Sequence, residues 1–86
     1  MTIGFSEQGK LYDGIRRTYT FENSYGASVV SHGGSYGGNL GLWELAVLYK
    51  DDICYTTPIT GDVIGWLNEE ELQVVLNKIK SLPDPP

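Results

Sequence analysis

Alternating apolar and polar positions predict two neighbouring strands in the N-terminal half of the chain. The alternation runs over residues 15–22 and is rich in β-branched and aromatic side chains, which is typical of a strand. Turn-forming residues occupy 22–26, and an extended pattern resumes over 27–31. We therefore expect a β-hairpin with a loop of about three to five residues.

A nearly continuous apolar run follows at residues 42–49, where Glu44 is the one interruption. Such a run is typical of a central strand that is covered on both faces or nearly so. A helix is the alternative interpretation, but Trp43, Val47 and Tyr49 favour a strand. Residues 50–52 then indicate a tight turn into a short fourth strand over 53–56, so the strands form an antiparallel meander.

The C-terminal part of the chain predicts an amphipathic helix. Residues 57–61 break the sheet, and 62–67 indicate a single helical turn that closes one end of the core. Asn68 and Glu71 have the spacing of a capping box, which starts the helix. The apolar stripe that follows consists of Leu72, Val75, Leu76, Ile79 and Leu82. This helix must pack on the sheet, and residues 83–86 form a frayed tail.

These elements define one small α+β domain over residues 1–86. A three- to four-stranded antiparallel sheet, ordered as a meander, packs against one C-terminal amphipathic helix. Residues 1–14 read as an irregular lead-in or one weak strand, because their apolar positions are scattered. The predicted core consists of Tyr19, Phe21, Val29, Leu45, Val47, Ile53, Ile64, Trp66, Leu67, Leu72, Val75, Leu76 and Ile79.

Residues 31–41 contain five glycines between two predicted strands, so this segment is expected to be a loop. Glycine loses more conformational entropy on folding than any other residue. A cluster of glycines therefore indicates positive-φ positions, a close backbone approach, or a mobile tip that carries Tyr36. All three interpretations concern shape rather than chemistry.

The net charge of −5 arises entirely in the second half of the chain. Three basic and three acidic residues cancel over 1–43, whereas 44–86 hold eight acids against three lysines. An acidic surface repels phosphate backbones, so we expect no direct nucleic-acid binding. A basic protein partner, or mimicry of nucleic acid toward such a partner, stays open.

The residues 23–30 (NSYGASVV), 35–38 (SYGG), 41–48 (GLWELAVL) and 55–67 (YTTPITGDVIGWL) carry a resemblance. Over about residues 18–82 the chain resembles a group of small, uncharacterised proteins encoded by tailed bacteriophages and prophages. The group has no established activity, so the resemblance implies a phage-encoded protein of the host cell cytoplasm and transfers no catalytic residue. Members often have glycine at the position of Ser24.

No catalytic constellation is visible. The His32-Gly33-Gly34 segment has the glycines of an esterase oxyanion hole, but the chain lacks the nucleophile elbow and is too short for that fold. A pair of Cys54 and His32 is conceivable, although Cys54 lies in an apolar run typical of an inert buried thiol. No metal or cofactor site is expected, and the lone cysteine excludes an intrachain disulfide.

The functional prediction is therefore a non-enzymatic protein-binding module that engages a host or phage protein. Its candidate protein-binding residues are Tyr25, Tyr36, Trp43 and Tyr49. The alternatives are a nucleic-acid-mimicking inhibitor that acts through the acidic C-terminal half, and a small-molecule-binding or hydrolytic protein with a site under the glycine-rich loop. We also predict a homodimer with Trp43 or Tyr49 in its interface, no membrane span, and a cytoplasmic location.

Overall fold

Six strands and one α-helix lie in the parts of the chain that the structure, a computed structural model, describes, namely residues 3–50, 52–53 and 63–83. The strands are β1 (Glu7–Leu11), β2 (Gly14–Thr20), β3 (Tyr25–Ser31), β4 (Trp43–Tyr49), β5 (Asp52–Ile53) and β6 (Val63–Leu67). The helix α1 spans Glu69–Lys80, and one short 3-10 turn spans Gly38–Leu40. Among these residues no helix combines the length and apolar character needed to span a bilayer.

The strands form one antiparallel sheet in the order β1-β2-β3-β4, and β5 and β6 share the far edge of β4. The register pairs Leu48 with Ile53 in β5 and Ala46 with Val63 in β6, so these two short strands follow one another along the same edge. The α+β class, the meander and the C-terminal helix are confirmed. The sheet, however, is larger than the three to four strands predicted, because β1 and β6 both add to it.

The first additional strand, β1, lies within the segment read as an irregular lead-in or one weak strand. A two-residue turn at 12–13 places Leu11 opposite Gly14 and returns the chain alongside β2. Most of β1 is exposed, as an edge strand is, so its pairing rests on the backbone rather than on an apolar face. That is why it has no clear alternation in the sequence.

The second additional strand, β6, replaces the helical turn predicted over 62–67, of which residue 62 lies outside the described residues. Pairing with β4 supplies the backbone hydrogen-bond partners that one isolated turn would leave unsatisfied. The ladder is irregular between Trp43 and Leu45, and Trp66 adopts a φ of 63° there. Trp66 was predicted in the core, and this is wrong: 58% of its surface is exposed.

The core lies between one face of the sheet and α1, which packs across β3, β4 and β6. In β4 the alternate residues Trp43, Leu45 and Val47 are buried, whereas the intervening residues are half-buried. β4 was predicted to be covered on both faces or nearly so: the face toward α1 is buried, and the opposite face is half-buried. The buried set consists of Tyr19, Ala27, Val29, Trp43, Leu45, Val47, Leu67, Leu72, Leu76 and Ile79.

Most of the predicted core is confirmed, with Phe21, Ile64 and Val75 partly buried against it. Ala27 and Trp43 are core residues that the sequence did not indicate. The side chain of Ile53 and the predicted strand residues 54–56 lie outside the described residues.

Both ends of α1 are held by side-chain hydrogen bonds. The predicted capping box forms: Asn68 Oδ1 accepts from Glu71 N–H at 2.8 Å, and Glu71 Oε1 accepts from Asn68 N–H at 3.0 Å. At the C-terminal end, the Asn23 side chain from the β2–β3 loop donates to the carbonyls of Ile79 (3.0 Å) and Leu82 (2.9 Å). The hairpin loop, residues 21–24, has the predicted length and also fastens the last turn of the helix.

Candidate interaction surface on the glycine-rich loop

The glycine-rich loop that joins β3 to β4 is held together by its own hydrogen bonds. The Ser35 hydroxyl accepts from His32 N–H at 3.0 Å and donates to the His32 carbonyl at 2.9 Å. The Gly38 N–H donates to the Ser35 carbonyl at 3.1 Å, and the Leu42 N–H donates to the Gly37 carbonyl at 3.0 Å. These bonds give the loop a defined path, in which Tyr36 occupies one fixed place.

Two glycines of this loop are required by its shape. Gly37 adopts a φ of 85°, which side chains other than glycine rarely tolerate. At Gly38 a Cβ atom would collide with the His32 carbonyl oxygen, so no other residue fits without moving the backbone. Of the three interpretations of the glycine cluster, positive φ and a close backbone approach are both present.

Tyr36 and Trp66 lie next to each other, and each packs against the glycine that neighbours the other in sequence: Tyr36 against Gly65, and Trp66 against Gly37. The Tyr36 side chain lies over Gly65, where an added Cβ would overlap its Cβ atom and lie 3.3 Å from its Cγ. Trp66 lies over Gly37, where a Cβ would be 3.0 Å from Trp66 Cα and 3.3 Å from Cε3. The Trp66 N–H also donates to the Tyr36 carbonyl at 3.3 Å. We call Tyr36 and Trp66 the aromatic pair.

The aromatic pair is largely exposed despite this close packing of its backbone. The exposed fraction is 60% for Tyr36 and 58% for Trp66, and Leu40 on the same loop is 71% exposed. Large apolar side chains grouped at one place on a small domain are typical of an interaction surface. The arrangement therefore offers aromatic contact area on a rigid support.

A second aromatic contact lies where the loop leaves β3. The Tyr12 ring centroid is 5.3 Å from that of His32, and Tyr12 is 85% exposed with a φ of 54°. Gly33 N–H donates to Asp13 Oδ1 at 2.9 Å, and this backbone hydrogen bond lowers the pKa of the exposed Asp13 carboxyl, with a smaller contribution from His32. The β1–β2 turn thus anchors the start of the glycine-rich loop.

The four predicted protein-binding residues do not come together. Tyr25 and Tyr49 are half-buried neighbours, with ring centroids 5.1 Å apart, at the opposite end of the β3–β4 hairpin. Trp43 is a core residue that is 7% exposed. The Arg17 guanidinium lies 4.3 Å from its ring centroid, and its Nε1–H donates to Glu69 Oε1 at 3.3 Å. Little of the Trp43 surface is therefore accessible, and of the four predicted residues Tyr36 is the one that lies exposed on the glycine-rich loop.

The sequence did not indicate Tyr12, Leu40 or Trp66 as surface residues. The available signal was the glycine beside each aromatic residue, Tyr36-Gly37 and Gly65-Trp66, since a large side chain beside a glycine can lie over a second backbone. Nothing in the spacing of these dipeptides, however, says that they face one another.

The charges beside the aromatic pair are acidic. Glu44 Oε1 accepts from Tyr36 N–H at 3.2 Å, and Glu69, Glu70 and Glu71 begin α1 directly after β6. Of these, Glu69 is paired with Arg17 at 3.5 Å. The surface consequently combines exposed aromatic rings with negative charge.

The structure shows no nucleophilic pair of His32 and Cys54 among the residues it describes. The Nδ1 atom of His32 accepts from Gly34 N–H at 3.0 Å and so serves the loop backbone, while Cys54 lies outside the described residues. Over residues 3–50, 52–53 and 63–83, no three His, Cys, Asp or Glu side chains are grouped to hold a metal ion. Comparison of the chain with protein-family models, curated proteins and solved structures yields no match.

Proposed function

We propose that this chain is a small, non-enzymatic accessory protein that binds a host or phage protein through the aromatic pair and Leu40. The origin in a phage and the location in the cytoplasm of an infected bacterium follow from the sequence resemblance alone. The proposed binding surface is drawn from the positions of exposed side chains. It keeps Tyr36 from the predicted set, adds Trp66 and Leu40, and leaves out Tyr25, Trp43 and Tyr49.

The observation that supports the proposal best is the backbone conformation of Trp66. A φ of 63° costs a residue other than glycine about 1–2 kcal/mol, and the cost falls on a side chain that is 58% exposed. Glycine at this position would relieve the strain. A strained, exposed tryptophan contributes little to folding, and such strain is concentrated at functional sites.

The alternatives have weaker support. Two of the acids that would mimic a phosphate track have local structural roles, because Glu69 pairs with Arg17 and Glu71 completes the capping box. A hydrolytic or ligand-binding site under the loop would need His32, whose Nδ1 is engaged by Gly34 N–H. The predicted homodimer stays a prediction, and light scattering tests it against the 9.5 kDa mass of one chain.

The test is affinity capture from infected cells with three forms of the tagged full chain, followed by mass spectrometry. The forms are the wild type, the double variant Tyr36→Ala/Trp66→Gly, and the control Val74→Ser, which alters a residue on α1 that is 55% exposed. Trp66→Gly removes the indole while relaxing the backbone, so the double variant is expected to stay folded. Urea midpoints measured beside the capture check this.

We expect a protein that the wild type and Val74→Ser both retain and the double variant loses. A partner retained equally by all three forms would place binding elsewhere on the chain. A metabolite that co-purifies without any protein would overturn the binding-module proposal.

A further inference from the structure

We propose that the partner presents arginine or lysine side chains to the aromatic pair. This inference rests on the proposed function and names the chemistry of the partner segment: a cationic side chain lies on the exposed rings of Tyr36 and Trp66 while the acids at the start of α1 balance its charge.

The segments that build the surface are acidic. Residues 36–44 and 63–71 together contain four acids, Glu44, Glu69, Glu70 and Glu71, and no lysine or arginine. Arg17, which reaches the first turn of α1 from β2, neutralises one of them through its contact with Glu69. The acids that remain favour a positively charged segment over an acidic one.

Exposed aromatic rings attract cations. The faces of tryptophan and tyrosine carry negative electrostatic potential, and a guanidinium or ammonium group within about 6 Å of the ring centre is stabilised by it. The rings of the aromatic pair are more than half exposed, so they are accessible to a side chain from another molecule.

Within the fold, Arg17 already contacts a tryptophan ring and a glutamate together. Its guanidinium lies 4.3 Å from the ring centroid of Trp43 and 3.5 Å from Glu69 Oε1. A tryptophan ring beside the first turn of α1 thus holds an arginine within the fold. Trp66 lies four residues before the exposed Glu70 and is itself 58% exposed, so a tryptophan and an acid of the first turn are also accessible from outside.

The experiment is a titration of the isotope-labelled full chain, followed by NMR through its two indole N–H signals. The probe is a short peptide of alternating arginine and glycine, and its control is the same peptide with citrulline, which keeps the shape of arginine without the charge. The Trp43 indole N–H gives the second signal: the residue is 7% exposed, and the N–H is bonded to Glu69 Oε1 at the first turn of α1.

We expect the Trp66 indole signal to move saturably with the arginine peptide and to move further than the Trp43 signal. Binding of the citrulline peptide should be weaker by about fivefold or more, since it lacks both the cation–π and the ion-pair contributions. Raising the salt from about 50 mM to about 500 mM should weaken binding of the arginine peptide. Equal shifts with both peptides, or no shift with either, would overturn the inference.

Two single variants give the matched comparison. Glu70→Gln removes an acid from the first turn of α1, four residues after Trp66, and Glu22→Gln removes an acid that is also exposed from the β2–β3 loop at the other end of the sheet. We expect the first to weaken arginine-peptide binding by about twofold to fivefold and the second to leave it unchanged. Equal weakening by both would mean that net charge alone, rather than this surface, attracts the peptide.

The inference and the proposed function can fail separately. If capture from cells finds a partner that depends on Tyr36 and Trp66 while neither peptide binds, the proposed function stands and the cationic chemistry is refuted. If the peptide binds at Trp66 but no cellular protein depends on the aromatic pair, the proposed function fails.

Discussion

Replacement of Gly65 by alanine is the most informative perturbation of the aromatic pair. The new Cβ would overlap the Cβ atom of Tyr36 and lie 3.3 Å from its Cγ, so Tyr36 must move away or β6 must shift. The φ of Gly65 is outside the left-handed region, so alanine suits the backbone and the steric overlap is the whole cause of the effect.

The size of the effect follows from two opposed contributions. An overlap with a packed side chain and its backbone costs about 1–3 kcal/mol. Alanine also restricts the unfolded chain, which stabilises the folded state by about 0.4–1 kcal/mol. We therefore expect the free energy of unfolding to fall by about 1 kcal/mol, within a range of about 0–2.6 kcal/mol, against the roughly 4–13 kcal/mol typical of 86 residues.

Urea denaturation followed by circular dichroism measures this change, and two other glycines serve as controls. Gly9→Ala adds a Cβ in open space on β1, so its stability should be unchanged or higher by up to about 1 kcal/mol. Gly41→Ala also has open space but a φ of 73°, so it isolates the cost of backbone strain. A Gly65→Ala protein as stable as Gly9→Ala, with unchanged Tyr36 NMR signals, would refute the seat of Tyr36 on Gly65.

Three further predictions concern the stability of the fold that carries this surface. Leu76→Asp should abolish cooperative thermal unfolding, because it places a charge at a fully buried position of α1, whereas an unchanged melting temperature would contradict packing of the helix on the sheet. Ser24→Gly should raise the free energy of unfolding by about 0.5–1 kcal/mol in urea titrations, since Ser24 has a φ of 71°; a loss of stability would show that this conformation is wrong. Asp13→Asn should lower stability at neutral pH, because the lowered folded-state pKa of Asp13 stabilises the fold fully at pH values above the unfolded pKa of 3.8. The difference from wild type should shrink as pH falls below 3.8 and vanish once pH falls through the lowered pKa. Urea midpoints that differ by the same amount at acidic and neutral pH would contradict the bond from Gly33 N–H to the Asp13 carboxylate.

The sequence predicted best the elements whose signal is local. The capping box at Asn68 and Glu71 and the apolar stripe of α1 depend on residues three or four positions apart, and both were confirmed. The hairpin of β2 and β3 was likewise readable from a two-residue alternation with a turn between its arms.

The elements that were missed, or left open in the case of β1, carry no alternating pattern of side chains. β1 and β6 pair through backbone groups at the two edges of the sheet, where side chains need not alternate. Trp43 was expected in an interface, because the apolar run 42–49 offers more hydrophobic surface than one helix can cover. The pattern does not show that Arg17, a polar residue of another strand, lies over its ring. A cationic side chain over an aromatic ring is not visible in a pattern of apolar positions.

The candidate site could be predicted only in part for the same reason. The glycine cluster predicted the loop, the positive φ and a close approach, all of which Gly37 and Gly38 bear out. The neighbour that gives Tyr36 its setting is Trp66, about thirty positions away in sequence, and local reasoning placed that tryptophan in the core. The contact of each aromatic residue with the other's glycine is a tertiary property.

The aromatic pair itself is tested most directly by nuclear Overhauser contacts in the free protein. Cross-peaks are expected between Gly65 Hα and the Tyr36 side chain and between Gly37 Hα and the Trp66 ring, because both aromatic residues pack on those glycines. The Trp66 indole N–H should exchange with water much faster than that of Trp43, which is buried and bonded to Glu69. Loss of both sets of cross-peaks, together with narrow, motionally averaged signals over residues 33–41, would contradict an ordered loop that presents Tyr36 and Trp66 side by side.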